Sequence, residues 1–88
     1  MLVVVDSVTR GIAEVYGAAM DGTRQFERYE IPLSVLVKAG ISPRKGQTLL
    51  LSEKPNGRSY NGGVLHVQAP NDTQRSQADD ISRFLDWD

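Results

Sequence analysis

The stretch from Glu30 to Leu51 constrains this chain most. Glu30-Ile31-Pro32-Leu33-Ser34-Val35-Leu36 and, after a short gap, Arg44-Lys45-Gly46-Gln47-Thr48-Leu49-Leu50-Leu51 read as strand, proline-started helical turn, glycine turn and strand. Pro32 has no N–H for a ladder and a φ preset for a helix start, so an arriving strand ends there and a short helical turn near residues 32–38 begins. Gly40 is placed to end that turn. A small sheet turns a corner in this way, and the motif holds no catalytic group. It speaks to architecture and to the surfaces a fold presents.

The flanking segments agree with a small β fold. Leu2-Val3-Val4-Val5 is short and mostly β-branched, which favours a strand buried on much of both sides. Thr9-Arg10-Gly11 supplies a turn into Ile12-Ala13-Glu14-Val15-Tyr16, so residues 2–17 read as a hairpin. Asp21-Gly22 is a second hairpin signal. In the strand that follows, Phe26 falls on one face and Tyr29 and Ile31 on the other, which predicts a bulge, a strong twist or an exposed face. Gln47 to Glu53 reads as a strand, Lys54 to Gly63 as a loop or very short hairpin, and Gly63 to Gln68 as the last strand. An exposed Leu2–Val5 edge would let two chains pair, so both monomer and homodimer are open.

The layout Val5-Asp6, Gly11-Ile12-Ala13-Glu14-Val15, Glu30 to Leu36 and Lys45-Gly46-Gln47-Thr48-Leu49 resembles a bacterial family called domain of unknown function three thousand and six. The resemblance covers residues 2–51 and implies a small β-barrel. It carries no assigned active residues. This chain departs from the family at Leu36-Val37-Lys38-Ala39-Gly40, where the family has Leu-Pro-x-Gly, and at Gln47, where it has Asp.

From Asn71 the period changes. Ala78, Ile81, Phe84 and Leu85 recur at helical spacing, and Pro70-Asn71-Asp72 offers a cap. Thr73 to Gln77 has no apolar anchor, so the helix is secure only from about residue 78 and residues 69–77 read equally as a tether. Charge divides at the same place. Residues 1–70 carry eight cations against six acids, a net +2, while residues 71–88 carry two against five, a net −3. The chain divides into a β-barrel domain over 1–70 and an acidic amphipathic helix or tail over 71–88.

At 88 residues this is one domain; such a domain buries only about 60–65% of the surface its unfolded chain exposes, which leaves little room for a deep pocket. With no cysteine, disulfides, thiolate chemistry and cysteine-based zinc sites are excluded. No run approaches the roughly 20 apolar residues of a spanning helix, and the amino terminus lacks a basic leader, so the expectation is a cytoplasmic protein without membrane contact. His66 is the single histidine and sits mid-strand with no acid or hydroxyl at motif spacing. An enzyme would need it to meet Asp6 or Glu30 in space. Asp79-Asp80 on a helix point in different directions and form no metal cage. Neither a catalytic set, a metal site nor a cofactor is expected.

Two binding classes remain. Asp79, Asp80, Ile81, Phe84, Leu85, Asp86 and Trp87 have the composition of an amphipathic helix laid into a partner's groove, or equally of one capping its own barrel. Arg44, Lys45, Lys54 and Arg58 lie on two loops flanking one strand and, with Tyr60 as a stacking platform, would suit single-stranded nucleic acid. An isoelectric point near 5.7 speaks against the second. The expectation is a mainly β, five-stranded SH3-like or OB-like barrel with a C-terminal helix. Its expected role is a non-enzymatic protein-binding adaptor, such as a small regulator or inhibitor from a phage or mobile element. Nucleic-acid binding is the alternative.

Overall fold

A computed structural model describes residues 1–18 and 25–85. Its five strands are β1 (Leu2–Thr9), β2 (Ile12–Ala18), β3 (Phe26–Pro32), β4 (Thr48–Leu51) and β5 (Val64–His66). Helix α1 (Leu33–Lys38) joins β3 to β4, and α2 (Asp72–Leu85) ends the described chain. The strands form one antiparallel sheet in the order β3-β2-β1-β4-β5. Among the described residues no ladder joins β3 to β5, so the sheet is open and these two strands are its edges. No described helix is long and apolar enough to cross a membrane.

β1 is the central strand, which corrects its expected place at an edge. It pairs with β2 on one side and, over Leu2–Val4, with β4 on the other, and Val5 bonds to Gly46 and Gln47, so the Leu2–Val5 segment has no free edge to offer a second chain. Its β-branched run suits that position, since Val3 and Val5 enter the main core with Ala13, Val15, Ile31, Leu49 and Leu51. Leu2 and Val4 point to the opposite face and are buried there as well.

The β1–β2 hairpin turns through Arg10 at φ 42° and Gly11 at φ 82°. Positive φ at both positions is the geometry of the two-residue hairpin loops that match strand twist. The expected irregularity belongs to β1 and not to β3: the register shifts between Val5 and Ser7, whereas β3 pairs with β2 without interruption from Phe26 to Pro32. The face of β3 that carries Phe26, Arg28 and Glu30 is the more exposed one, opposite buried Tyr29 and Ile31. The Asp21-Gly22 signal lies outside the described residues.

Pro32 ends β3 and precedes α1 as the motif predicts. The helix closes on Gly40 at φ 76°, with Ile41 N–H donating to Leu36 O at 2.9 Å and Gly40 N–H to Val37 O at 3.0 Å. Those paired bonds, with Leu36 and Ile41 both buried, are a Schellman stop. It aims residues 41–47 back toward β4.

Helix α2 starts at Asp72, well before Ala78. Asn71 and Gln74 cap it reciprocally: Gln74 N–H donates to Asn71 Oδ1 at 2.8 Å, and Asn71 N–H to Gln74 Oε1 at 3.1 Å. This box supplies the start that the apolar spacing lacks, so residues 72–77 are helix and not tether. The helix packs on β1 and β2 over the outward face that bears Leu2 and Val4, with Ile81 fully buried.

Candidate binding site

The acidic helix was one of two expected surfaces, and its apolar face is largely taken up by its own sheet. Ile81 is inaccessible, and Phe84 sits between two rings of that sheet, 5.7 Å from Tyr16 and 5.1 Å from Phe26 by centroid. Phe84 nevertheless keeps 53% of its surface exposed and Leu85 is half-buried. Asp79 and Asp80 face solvent. Asp86 and Trp87 lie outside the described residues.

The basic set is divided. Arg44 and Lys45 precede β4 while Lys54 and Arg58 follow it, so the two loops leave the strand from opposite ends. Lys54 Nζ lies 3.7 Å from Glu27 Oε2 and 5.9 Å from the centre of the Tyr29 ring; Arg58 Nε lies 2.9 Å from Glu30 Oε2. Both cations thereby tie the β4–β5 loop to β3. Tyr60 is no stacking platform, because its ring belongs to the main core. Its hydroxyl donates to Gly63 O at 2.8 Å and accepts from Glu53 N–H at 3.3 Å. The loop itself is a very short hairpin, with Asn56 and Ser59 exchanging backbone bonds at 3.1 and 3.0 Å.

A different site emerges beside β5. An open groove of about 710 Å³ separates residues 39–47 from residues 64–68. Arg44, Lys45 and His66 line it, the buried Ile41 lines it too, and among the described residues none of the lining is acidic. Gln47 stiffens one wall: its side chain donates to Ser42 O at 3.2 Å and accepts from Arg44 N–H at 3.3 Å. Leu65 stands on the rim, 62% exposed. On the outward face Leu2, Leu50 and Leu65 are successive cross-strand partners, so an apolar row runs from under α2 to this rim.

Sequence reading missed Leu65 and Ile41 as site residues. The only available signal was that Val64-Leu65-His66, as the last strand of a short meander, is a natural edge. Nothing in the local sequence says that the segment after α1 runs alongside it.

Glu14, Arg28 and Glu30 brace the sheet. Arg28 Nη2 donates to Glu14 Oε1 and Ser7 Oγ to Glu14 Oε2 at 2.9 Å; Arg28 also lies 3.6 Å from Glu30. The bond from Arg28, more than that from Ser7, holds the Glu14 carboxyl below its ordinary value. Burial, assisted by the bond that its hydroxyl donates to Glu27 at 2.6 Å, pushes the Tyr29 phenol well above its ordinary value. Glu30, one imagined partner for His66, is engaged by Arg58 and Arg28. Among the described residues no cluster of three His, Cys, Asp or Glu side chains could hold a metal ion.

Comparison with known proteins finds no matching family model, no matching curated relative and no matching solved structure.

Proposed function

We propose that this chain is a non-enzymatic protein-binding module built on an OB-like small barrel, and that its partner docks in the groove beside β5. The observation that carries this reading is the groove's make-up: about 710 Å³ of open space, an exposed Leu65 on the rim, and Arg44 and Lys45 on the wall. That volume falls within the range of established ligand clefts, about 300–1,000 Å³. An apolar anchor inside a polar rim is how protein interfaces are composed. A small regulator or inhibitor would act through such a surface.

The barrel reading rests on topology. Curling a sheet of order β3-β2-β1-β4-β5 brings β3 toward β5, and a helix between β3 and β4 favours the OB-like over the SH3-like form. Dimensions of 29 × 25 × 24 Å fit a curled sheet better than a flat one. The Lys54–Glu27 and Arg58–Glu30 pairs stand where a closing ladder would run. The likeness of residues 2–51 to domain of unknown function three thousand and six is, in this reading, a likeness of barrel layout.

Single-stranded nucleic acid is the second reading, favoured by Arg44 and Lys45 on the groove wall. OB folds take oligonucleotides on the face of strands 2 and 3 and between the β1–β2 and β4–β5 loops. Here that face carries Glu14 and Glu30 and is overlaid near Tyr16 and Phe26 by Phe84. The β1–β2 connection is the tight turn at Arg10-Gly11, and the β4–β5 loop has Lys54 and Arg58 already paired. Protein is therefore preferred.

Selection from a random-peptide library against the whole protein tests this reading. It should return peptides whose affinity falls by about tenfold or more in Leu65→Asp and not in Val37→Asp. A selection with no Leu65-dependent binder, or short single-stranded DNA held in the groove instead, would contradict it.

A further inference from the structure

We infer that Asn56 is a site of spontaneous covalent modification, where the chain deamidates through a cyclic imide and thereby loosens the hold of the β4–β5 loop on β3. The inference is independent of the binding reading above.

The chain has three asparagines, at positions 56, 61 and 71, and the first two each precede a glycine. Asn-Gly is a reactive setting for imide formation, because the glycine nitrogen has no adjoining Cβ to hinder its approach to the side-chain carbonyl. By sequence Asn56 and Asn61 rank equally. The fold separates them.

Asn71 is restrained from the outset: its Oδ1 accepts from Gln74 N–H at 2.8 Å, and the residue after it opens α2. Asn61 is exposed, but its glycine is wedged. A Cβ on Gly62 would stand 2.6 Å from Ser52 Oγ and 2.7 Å from Tyr60 Oη. Gly63, the next residue, donates to Ser52 Oγ at 2.7 Å and accepts from Tyr60 Oη at 2.8 Å. Turning the Asn61-Gly62 backbone into a ring therefore strains bonds to Tyr60, whose own ring is packed in the core.

Asn56 stands at the other extreme. It and Gly57 are exposed, Gly57 takes φ 62° at the first corner of a two-residue turn, and a Cβ on it would meet nothing within 4 Å. The turn is closed by the two backbone bonds between Asn56 and Ser59, and Arg58 ties it to Glu30 through a highly exposed guanidinium. Opening it breaks solvent-facing bonds and leaves Tyr60 in place, so a local fluctuation reaches the reactive conformation.

The chemistry needs water alone. After loss of its amide proton the Gly57 nitrogen attacks Asn56 Cγ, a C–N bond forms, and the side-chain nitrogen leaves as ammonia. Water then opens the imide. Addition at Cγ breaks the new C–N bond and leaves aspartate; addition at the main-chain carbonyl carbon breaks the original peptide bond and leaves isoaspartate, with the chain routed through Cγ. One water is consumed and one ammonia released, with no oxidation or reduction.

Either product puts a carboxylate two residues from Arg58, in competition with Glu30 for the guanidinium. Isoaspartate also adds a backbone atom at the corner of the turn, and the Asn56–Ser59 pairing cannot absorb it. The loop then loses its hairpin.

The test is incubation of the full chain at mildly alkaline pH, followed over time by peptide mapping with fragmentation that tells isoaspartate from aspartate. A parallel sample in denaturant has the same sequence without the fold. The ratio of folded to unfolded rate should be roughly tenfold higher at Asn56 than at Asn61, the factor that one further hydrogen bond to break supplies. The isoaspartate fraction should melt below both the parent and Asn56→Asp, since that variant carries the charge without the longer backbone. An equal or reversed ratio, or an Asn56 that stays intact in the folded chain, would overturn the assignment of the site. An isoaspartate fraction that melts with the parent would overturn the loosening of the loop.

Discussion

Arg58 reaches across from the β4–β5 loop to hold Glu30 of β3, Nε to Oε2 at 2.9 Å. The pair ties the loop that leads into one edge strand, β5, to the other edge strand, β3. Arg58 is highly exposed, so the bond itself adds little to stability, and Arg58→Ala should cost no more than about 1 kcal/mol in chemical denaturation. The weight of closure falls on Tyr60. Removing its hydroxyl leaves Gly63 O and Glu53 N–H without their shared partner, and Tyr60→Phe should cost about 1–2 kcal/mol. An Arg58→Ala loss larger than the Tyr60→Phe loss would reverse this assignment.

Helix α2 is part of the fold and does not hang from it. Ile81 is fully buried over β1 and β2, and Ile81→Ala should destabilise by about 2–4 kcal/mol. Exposed Asp79→Ala should change stability by less than about 0.5 kcal/mol. Thermal melts of the two variants decide the point: if Ile81→Ala melts like the parent, α2 does not depend on its own sheet and becomes available to a partner.

The turn at Arg10-Gly11 places a long side chain at φ 42°, where L-residues other than glycine, asparagine and aspartate are strained. Arg10→Asn should stabilise the hairpin by about 0.5–1 kcal/mol and raise the melting temperature. A lower melting temperature would mean that the Arg10 side chain contributes more than its backbone costs.

Acid should weaken the β2–β3 face through Glu14. Its carboxyl is held below the ordinary value of 4.5 by the hydrogen bonds from Arg28 and Ser7. A lowered folded-state pKa means that the contribution is present above the unfolded value and disappears as pH falls through the folded one. The difference in melting temperature between the parent and Glu14→Gln should therefore shrink as pH is taken below about 4.5. A difference that stays constant across that range would mean that the carboxylate charge is not what Arg28 and Ser7 recognise.

The legible parts of this fold were those decided by local chemistry. Pro32 and Gly40 bracket α1 because one lacks a donor and the other tolerates positive φ; both facts reside in the residue itself. The Leu2–Val5 run announced burial on two faces, but not the neighbours that cause it. The order of strands is set by pairing between distant segments, and so β1 became central where an edge was expected. Asn71 and Gln74 carried a capping signal that apolar spacing alone passed over. Lys54, Arg58 and Tyr60 looked like a binding cluster because sequence shows their charge and ring but not Glu27, Glu30 and Gly63, which engage them. The groove was hidden for the same reason: its two walls, residues 39–47 and 64–68, are brought together only by the sheet.

The central claim is that the partner docks beside β5. The most direct measurement is an NMR titration of the labelled full chain with a peptide recovered by selection, reading every backbone amide. The account predicts that the largest shift changes cluster in residues 39–47 and 64–68, with Val64 and His66 amides slowed in exchange. Largest changes on α2 around Phe84, or on the loop carrying Lys54 and Arg58, with the groove unmoved, would contradict it.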